Sequence, residues 1–284
     1  MEFGLALFTS DRGIRPEVAA RACEERGFHT FYVPEHTHIP AARTSPHPET
    51  GDSSLPDDRY MRTLDPWVTL GAVMSVTSTI RLGTSVALPV EHDPITLAKT
   101  IASLDFLSGG RVVLGVGFGW NTEELRDHGV PPERRRTVLA EYLAAMRALW
   151  TEEEASYQGE YVSFGPSWAW PKPVQSPIPV LVGAAGTDRT LDWITRHADG
   201  WITTPTEDRS LEAARGLRQR WEDAGRSGQP WVSVLGRKPD KATVDAMAEA
   251  GVTEMVLGVP DADESVALQY LDKIAPVVAE FSRP

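Results

Sequence analysis

The densest group of chemically useful side chains is the run Tyr32-Val33-Pro34-Glu35-His36-Thr37-His38. A glutamate beside a histidine offers an acceptor and a group that titrates near neutrality, which is what proton transfer needs. The His36-x-His38 spacing also invites a metal, and Glu35, His36 and His38 could begin the ligand set of a barrel hydrolase. That set needs further His or Asp ligands from later strand ends. No other histidine stands there, and His197 falls within or at the end of a helix, so no metal is expected. Hydrogen bonds that fix a loop are the plainer use of the same side chains.

Three glycine-rich stretches come next. Gly83-Thr84-Ser85-Val86 puts small and hydroxyl residues inside an apolar run, a pattern of bulges and of close backbone approach to a ligand. Gly115-Val116-Gly117-Phe118-Gly119-Trp120-Asn121 looks like a dinucleotide fingerprint, but the third glycine would have to fall at Trp120. Alternate glycines at a strand end instead leave room for a flat ligand or for neighbouring backbone. Asn121 can cap the following helix ahead of Glu124. Gly183-Ala184-Ala185-Gly186-Thr187 joins a strand to a helix, where backbone N–H groups can meet a phosphate. The same stretch also reads as a tight turn with Thr187 or Asp188 as N-cap.

The basic run Arg134-Arg135-Arg136 is either a solvated helix face or a contact for an acidic cofactor tail or partner subunit. Cys23 lies in an amphipathic helical pattern and reads as a buried structural thiol. Of the nine tryptophans, Trp120, Trp168, Trp170 and Trp201 fall at or near strand ends and loops.

Short apolar runs alternate with helical patterns along the whole chain. Strands are expected at Phe3 to Phe8, Thr30 to Val33, Ile80 to Leu88, Arg111 to Val116, Ile178 to Val182, Gly200 to Thr203, Trp231 to Leu235 and Glu254 to Leu257. Each is trailed by helix, giving eight units of about 35 residues in a chain of 284. Eight βα units favour an α/β fold of the closed (β/α)8 TIM-barrel type, with all 284 residues in one domain. An open doubly wound sheet is the rival. Two stretches exceed ordinary barrel loops: a lid-like insertion at about 37–63 and a hairpin and connector at about 153–179. Both are expected over the C-terminal mouth, with a hairpin turn at Gln158-Gly159.

Twenty-eight Lys and Arg against 40 Asp and Glu give a net charge of −12, which argues against nucleic acid and anionic membrane as partners. No apolar run approaches a membrane span, and one cysteine cannot form an internal disulfide, so a cytoplasmic protein is expected.

The segments VPEHTHIP, DPWVTLGAVMSVTSTIRLGTSVALPV, LAKTIASLDFLSGGRVVLGVGFGWNTEEL, ALWTEEEASYQGEYVSF and PVLVGAAG…ADGWI together resemble the bacterial luciferase-like flavin and deazaflavin oxidoreductases. The match is closest to the actinobacterial F420-dependent branch and covers roughly residues 1–204. The resemblance implies a barrel holding a flat ring at its C-terminal mouth, in a homodimer. It implies a non-proline cis peptide at Ser85–Val86 behind that ring, with Thr84 and Gly117 alongside. Glu35 and His36 match the acid–His pair near ring and substrate, with Glu35 orienting His36 or touching the ring edge. Gly183, Ala184, Ala185 and Gly186 match the segment receiving the cofactor phosphate, although a Gly-Gly pair is commoner than Ala184-Ala185. The sugar-phosphate dehydrogenases of the family carry a carboxylate where this chain has Trp120. With His38 and Asn121, Trp120 suggests a pocket for a small apolar or aromatic substrate. The cofactor implied is F420, and the reaction is hydride transfer. FMN with monooxygenation, or a binding barrel without turnover, are the alternatives.

Overall fold

The computed structural model describes residues 1–203, 208–236 and 239–282. In chain order it contains β1 (Glu2–Leu7), α1 (Pro16–Glu25), β2 (Thr30–Val33), α2 (Pro66–Met74), β3 (Arg81–Thr84), α3 (Pro94–Ser108) and β4 (Val112–Gly117). Two helices follow, α4 (Thr122–Asp127) and α5 (Arg135–Thr151), and then a hairpin of β5 (Ala155–Gln158) and β6 (Ser163–Ser167). The second half runs β7 (Val180–Gly183), α6 (Asp188–His197), β8 (Gly200–Thr203), α7 (Asp208–Asp223) and β9 (Trp231–Leu235). It ends with α8 (Lys241–Glu249), β10 (Glu254–Val259) and α9 (Glu264–Phe281).

Eight parallel strands close into a barrel in the order β1-β10-β9-β8-β7-β4-β3-β2, as the βα count requires. Helix starts are set locally. Asp65 and Asp93 each precede a proline, so one dipeptide supplies both a cap and a pre-organised first turn. The Asp93 carboxylate accepts from Thr96 N–H at 2.7 Å, and α3 stops at Gly109 in the left-handed region at φ 72°.

Apolar side chains fill the barrel interior, where Tyr32, Val113, Leu181, Ile202 and Val256 pack together. At its N-terminal end Glu254, fully buried, accepts hydrogen bonds from Tyr32 Oη at 2.7 Å and Ser233 Oγ at 2.6 Å. Cys23 is buried between barrel and helices, as expected of a structural thiol, and burial pushes its pKa up.

Three expectations are corrected. The third strand ends at Thr84 rather than Leu88, and the Ser85–Val86 peptide that follows it is cis. The chain rejoins β4 just beyond, where Ala87 N–H donates to Gly115 O and Gly117 N–H to Ala87 O, both at 2.8 Å. The second insertion is not rooted at the mouth. It leaves the end of α5 and enters the start of β7, both at the N-terminal end, where Gln175 bonds Val112 O at 2.8 Å. Its hairpin lies along α5. The Glu141 carboxylate accepts from the N–H groups of Glu160, Tyr161 and Val162, so the turn spans 159–162 instead of two residues. Residues 37–63 do lie at the C-terminal mouth. Among the described residues no helix is long and apolar enough to cross a membrane.

Candidate active site at the barrel mouth

The floor of the mouth is the cis bulge. Ser85 N–H donates to Val33 O at 2.8 Å and Glu35 N–H to Val86 O at 3.1 Å, stitching the bulge to the end of β2. The Val86 side chain sits between two glycines. A Cβ on Gly117 would lie 2.6 Å from Val86 Cγ2, and one on Gly183 would lie 2.3 Å from Val86 Cγ1. These glycines therefore make room for Val86, and only through it for anything resting on the bulge. Thr84 is turned aside and donates to Gly115 O at 2.7 Å.

Glu35 does not orient His36. Its carboxylate, 1% exposed, accepts from Leu88 N–H at 2.6 Å and from His92 Nε2 at 2.7 Å. It therefore clamps the chain that follows the bulge. Burial works against a charged His92, but the bond to Glu35 outweighs it and the imidazole pKa is raised. The carboxylate that orients His36 is Glu124 on α4. It is 1% exposed and accepts from His36 Nδ1 at 2.9 Å and from Thr37 N–H at 3.1 Å. No hydrogen bond among the described residues engages His36 Nε2, so that atom is available to a bound molecule.

Asn121 stands at the N-cap of α4, but its side chain makes no capping bond. It is buried, with Nδ2 3.4 Å from Glu124 Oε2 and Oδ1 without a partner. His38 turns outward to Asp127 at 3.0 Å. Glu35, His36 and His38 thus diverge to separate partners and do not converge as metal ligands.

The insertion supplies a wall that sequence reading missed. The His47 ring packs edge-on against Trp120 at 4.7 Å and Tyr60 at 4.8 Å, while His36 lies 5.7 Å from Trp120. Burial lowers the His47 pKa, which favours its neutral form. The segment is anchored through Glu123, whose carboxylate accepts from Ser45 Oγ at 2.5 Å and from Thr44 N–H at 2.8 Å. The Ser45 bond, reinforced by Thr44, brings the Glu123 pKa down to about 2 despite some burial.

Across the mouth, Thr187 caps α6 by accepting from Thr190 N–H, and Trp201 Nε1 donates to Ala184 O at 2.8 Å. The N–H groups of Ala185 and Gly186 meet no acceptor among the described residues. Nearby, Arg136 lies 4.0 Å over the Phe118 ring and donates to Thr190 Oγ1 at 3.2 Å, while its buried Nη1 has no partner. Arg134 instead turns to Tyr161 and Glu160, and Arg135 to Pro132 O.

Known proteins resemble this chain in sequence and fold to different depths. The profile of the luciferase-like monooxygenase family matches residues 13–273. The chain belongs to that family. A Mycobacterium tuberculosis relative of this luciferase-like barrel is 64% identical over 98% of this chain and 99% of its own. The F420-dependent glucose-6-phosphate dehydrogenase of Nakamurella multipartita is 33% identical over 73% of this chain and 58% of that one. Among solved structures, the monooxygenase RslO1 of Streptomyces bottropensis superposes over 99% of both chains with a TM-score of 0.78 at 20% identity. This luciferase-like protein is thus an oxidoreductase of a flavin- and deazaflavin-binding superfamily.

Sequence reading treated Glu124 only as a cap partner and passed over Glu91, His92, His47 and Tyr60. The signal for the first three was present: a second Glu-His pair at Glu91-His92, and paired glutamates opening α4.

Proposed function

We propose that the protein is an F420-dependent oxidoreductase acting on a small apolar or aromatic substrate at the C-terminal mouth. The observation that carries this reading is the Ser85–Val86 bulge, cradled by Gly117 and Gly183 and flanked by a His36 whose Nε2 is free. When bound, F420 supplies hydride chemistry at C5, and the barrel positions it and tunes its surroundings.

The residues present fit such a cofactor. Gly117 and Gly183 keep side chains off the bulge except Val86, which gives a flat ring a surface to lie on. The Ala185 and Gly186 amides at the start of α6, with the unpartnered Arg136 Nη1, suit a phosphate. His36 Nε2 gives or takes a proton on the substrate, and Glu124 holds Nδ1 and stabilises the charged ring. Trp120, His47 and Tyr60 form an apolar wall that excludes water and receives the substrate. Residues 37–63, held by Glu123, serve as its cover.

The enzyme works as one barrel domain in the cytoplasm, where a lone free thiol is at home. Exposed Val68, Ile95, Phe106 and Leu107 on α2 and α3 support a homodimer through that face.

FMN-dependent monooxygenation is the second reading, favoured by the likeness to a monooxygenase barrel. An optical titration with F420 and with FMN decides between them. F420 should bind at least tenfold more tightly. Preference for FMN reverses the cofactor assignment, and binding without turnover of any substrate leaves only a binding barrel.

A further inference from the structure

Behind His36 lies a carboxyl group with no role so far. Glu91 ends the short 3-10 turn Pro89–Glu91, and its side chain is 0% exposed. Its Oε2 accepts from Thr37 Oγ1 at 3.3 Å and lies 3.9 Å from His128 Nε2. Its Oε1 is buried without a partner. Thr37 brings the Glu91 and Glu124 carboxylates together, its Oγ1 donating to Glu91 Oε2 and its N–H to Glu124 Oε1 at 3.1 Å. Two ionised carboxylates in such contact repel, and each is costly to bury. One proton between them removes the repulsion, leaves a single buried charge that Glu124 shares with His36, and gives Glu91 Oε1 the partner it lacks.

We propose that Glu91 is a neutral carboxylic acid donating its Oε1–H to the Glu124 carboxylate, a positioning residue that fixes Glu124 as the anionic partner of His36. The proton belongs on Glu91 because Glu124 already accepts from His36 Nδ1, Thr37 N–H and Asn121 Nδ2, while among the described residues Glu91 accepts only from Thr37. Hydrogen bonds from donors favour the charged form of the group that receives them. Burial, and then the carboxylates of Glu124 and Glu35, push the Glu91 pKa up to about 9.

The groups facing this pair come from three elements. Glu35, His36, Thr37 and His38 follow β2, and His92 follows the 3-10 turn. Asp127 and His128 close α4, where burial lowers the His128 pKa. Glu35 is matched by His92 and Asp127 by His38, so none of these offers Glu91 a counter-charge.

The carboxyl pair needs no cofactor, whereas its effect on turnover rests on the reading of His36 given above. Infrared spectra of the purified chain should show a protonated carboxyl band at neutral pH that is lost in Glu91→Gln. In the wild type the band should titrate away near pH 9. Absence of the band, or a band that survives Glu91→Gln and is lost in Glu124→Gln, overturns the assignment. Should Glu91→Gln not fold, the titration in the wild type decides.

A raised acid contributes stability that is present at low pH and lost as pH rises through its folded value. The Tm of Glu91→Gln should therefore gain steadily on the wild type up to about pH 9. A difference that stays constant with pH counts against the proposal. With F420 and substrate, wild-type kcat should fall about tenfold per unit above that pH, and Glu91→Gln should lack this limb. A wild type that shows the band but no turnover keeps the carboxyl pair and removes the oxidoreductase reading.

Discussion

Both ends of this barrel bury carboxylates, and the partners they are given differ. At the N-terminal end Glu254 is held by the hydroxyls of Tyr32 and Ser233, and Arg81 pairs with Glu2 at 2.6 Å while lying over Trp231. None of those donors titrates near neutrality. Burial and the neighbouring Glu254 push the Tyr32 pKa still further up. At the mouth, Glu35 and Glu124 are paired with imidazoles, and His36 keeps Nε2 without a hydrogen bond among the described residues. A buried carboxylate thus marks chemistry only where its partner can change protonation state and still reach a ligand. The floor of the barrel uses the same residue type for architecture alone.

The largest expected effect breaks the mouth without unfolding it. His36→Ala should lower kcat by about 10²–10⁴-fold while leaving Tm nearly unchanged, measured with F420 and a turned-over substrate. A loss below about threefold would remove His36 from the reaction. Its counterpart at the floor is Glu254→Ala, which orphans two buried hydroxyls. That change should cost about 3 kcal/mol in denaturant unfolding with kcat of the folded fraction unaltered. An altered kcat there would end the contrast between the two ends.

Between these lies Gly183→Val, whose side chain must displace Val86 from the cradle. Overpacking should cost about 1–3 kcal/mol, and F420 affinity should fall at least tenfold in the same titration. The smallest effect belongs to the anchor of the mouth segment. Glu123→Gln should cost about 0.5 kcal/mol at neutral pH, because the group is near solvent and screened. Its folded pKa is depressed, so the wild-type advantage should be present above the ordinary carboxylate range. It should vanish as pH falls towards about 2, followed by thermal melts.

Much of this was legible before any coordinates. The alternation of apolar runs with helical patterns reports βα units because period and burial are local properties of the chain. The Asp-Pro dipeptides before α2 and α3 likewise act on their own first turns. The motif block from Arg81 to Asn121 pointed to a bulge at Ser85–Val86, and the cis peptide is there. The purpose of the glycines was only half legible. That they permit close approach follows from the missing Cβ, but that Val86 is what approaches does not. The placement of the second insertion was misjudged from its length. A helix-to-strand connection must root at the N-terminal end, whatever it contains.

The sequence by itself determined the succession of strands and helices, the closure into a barrel and the residue types gathered at strand ends. These follow from hydrophobic period, capping and steric rules that act within a few residues. Only the tertiary structure decided the pairing. Glu35 sits beside His36 in the chain yet bonds His92, 57 positions away, and His36 takes Glu124, 88 positions away. Neighbours on a strand end point to different sides, and the partners that reach them are set by which elements the closed barrel brings together.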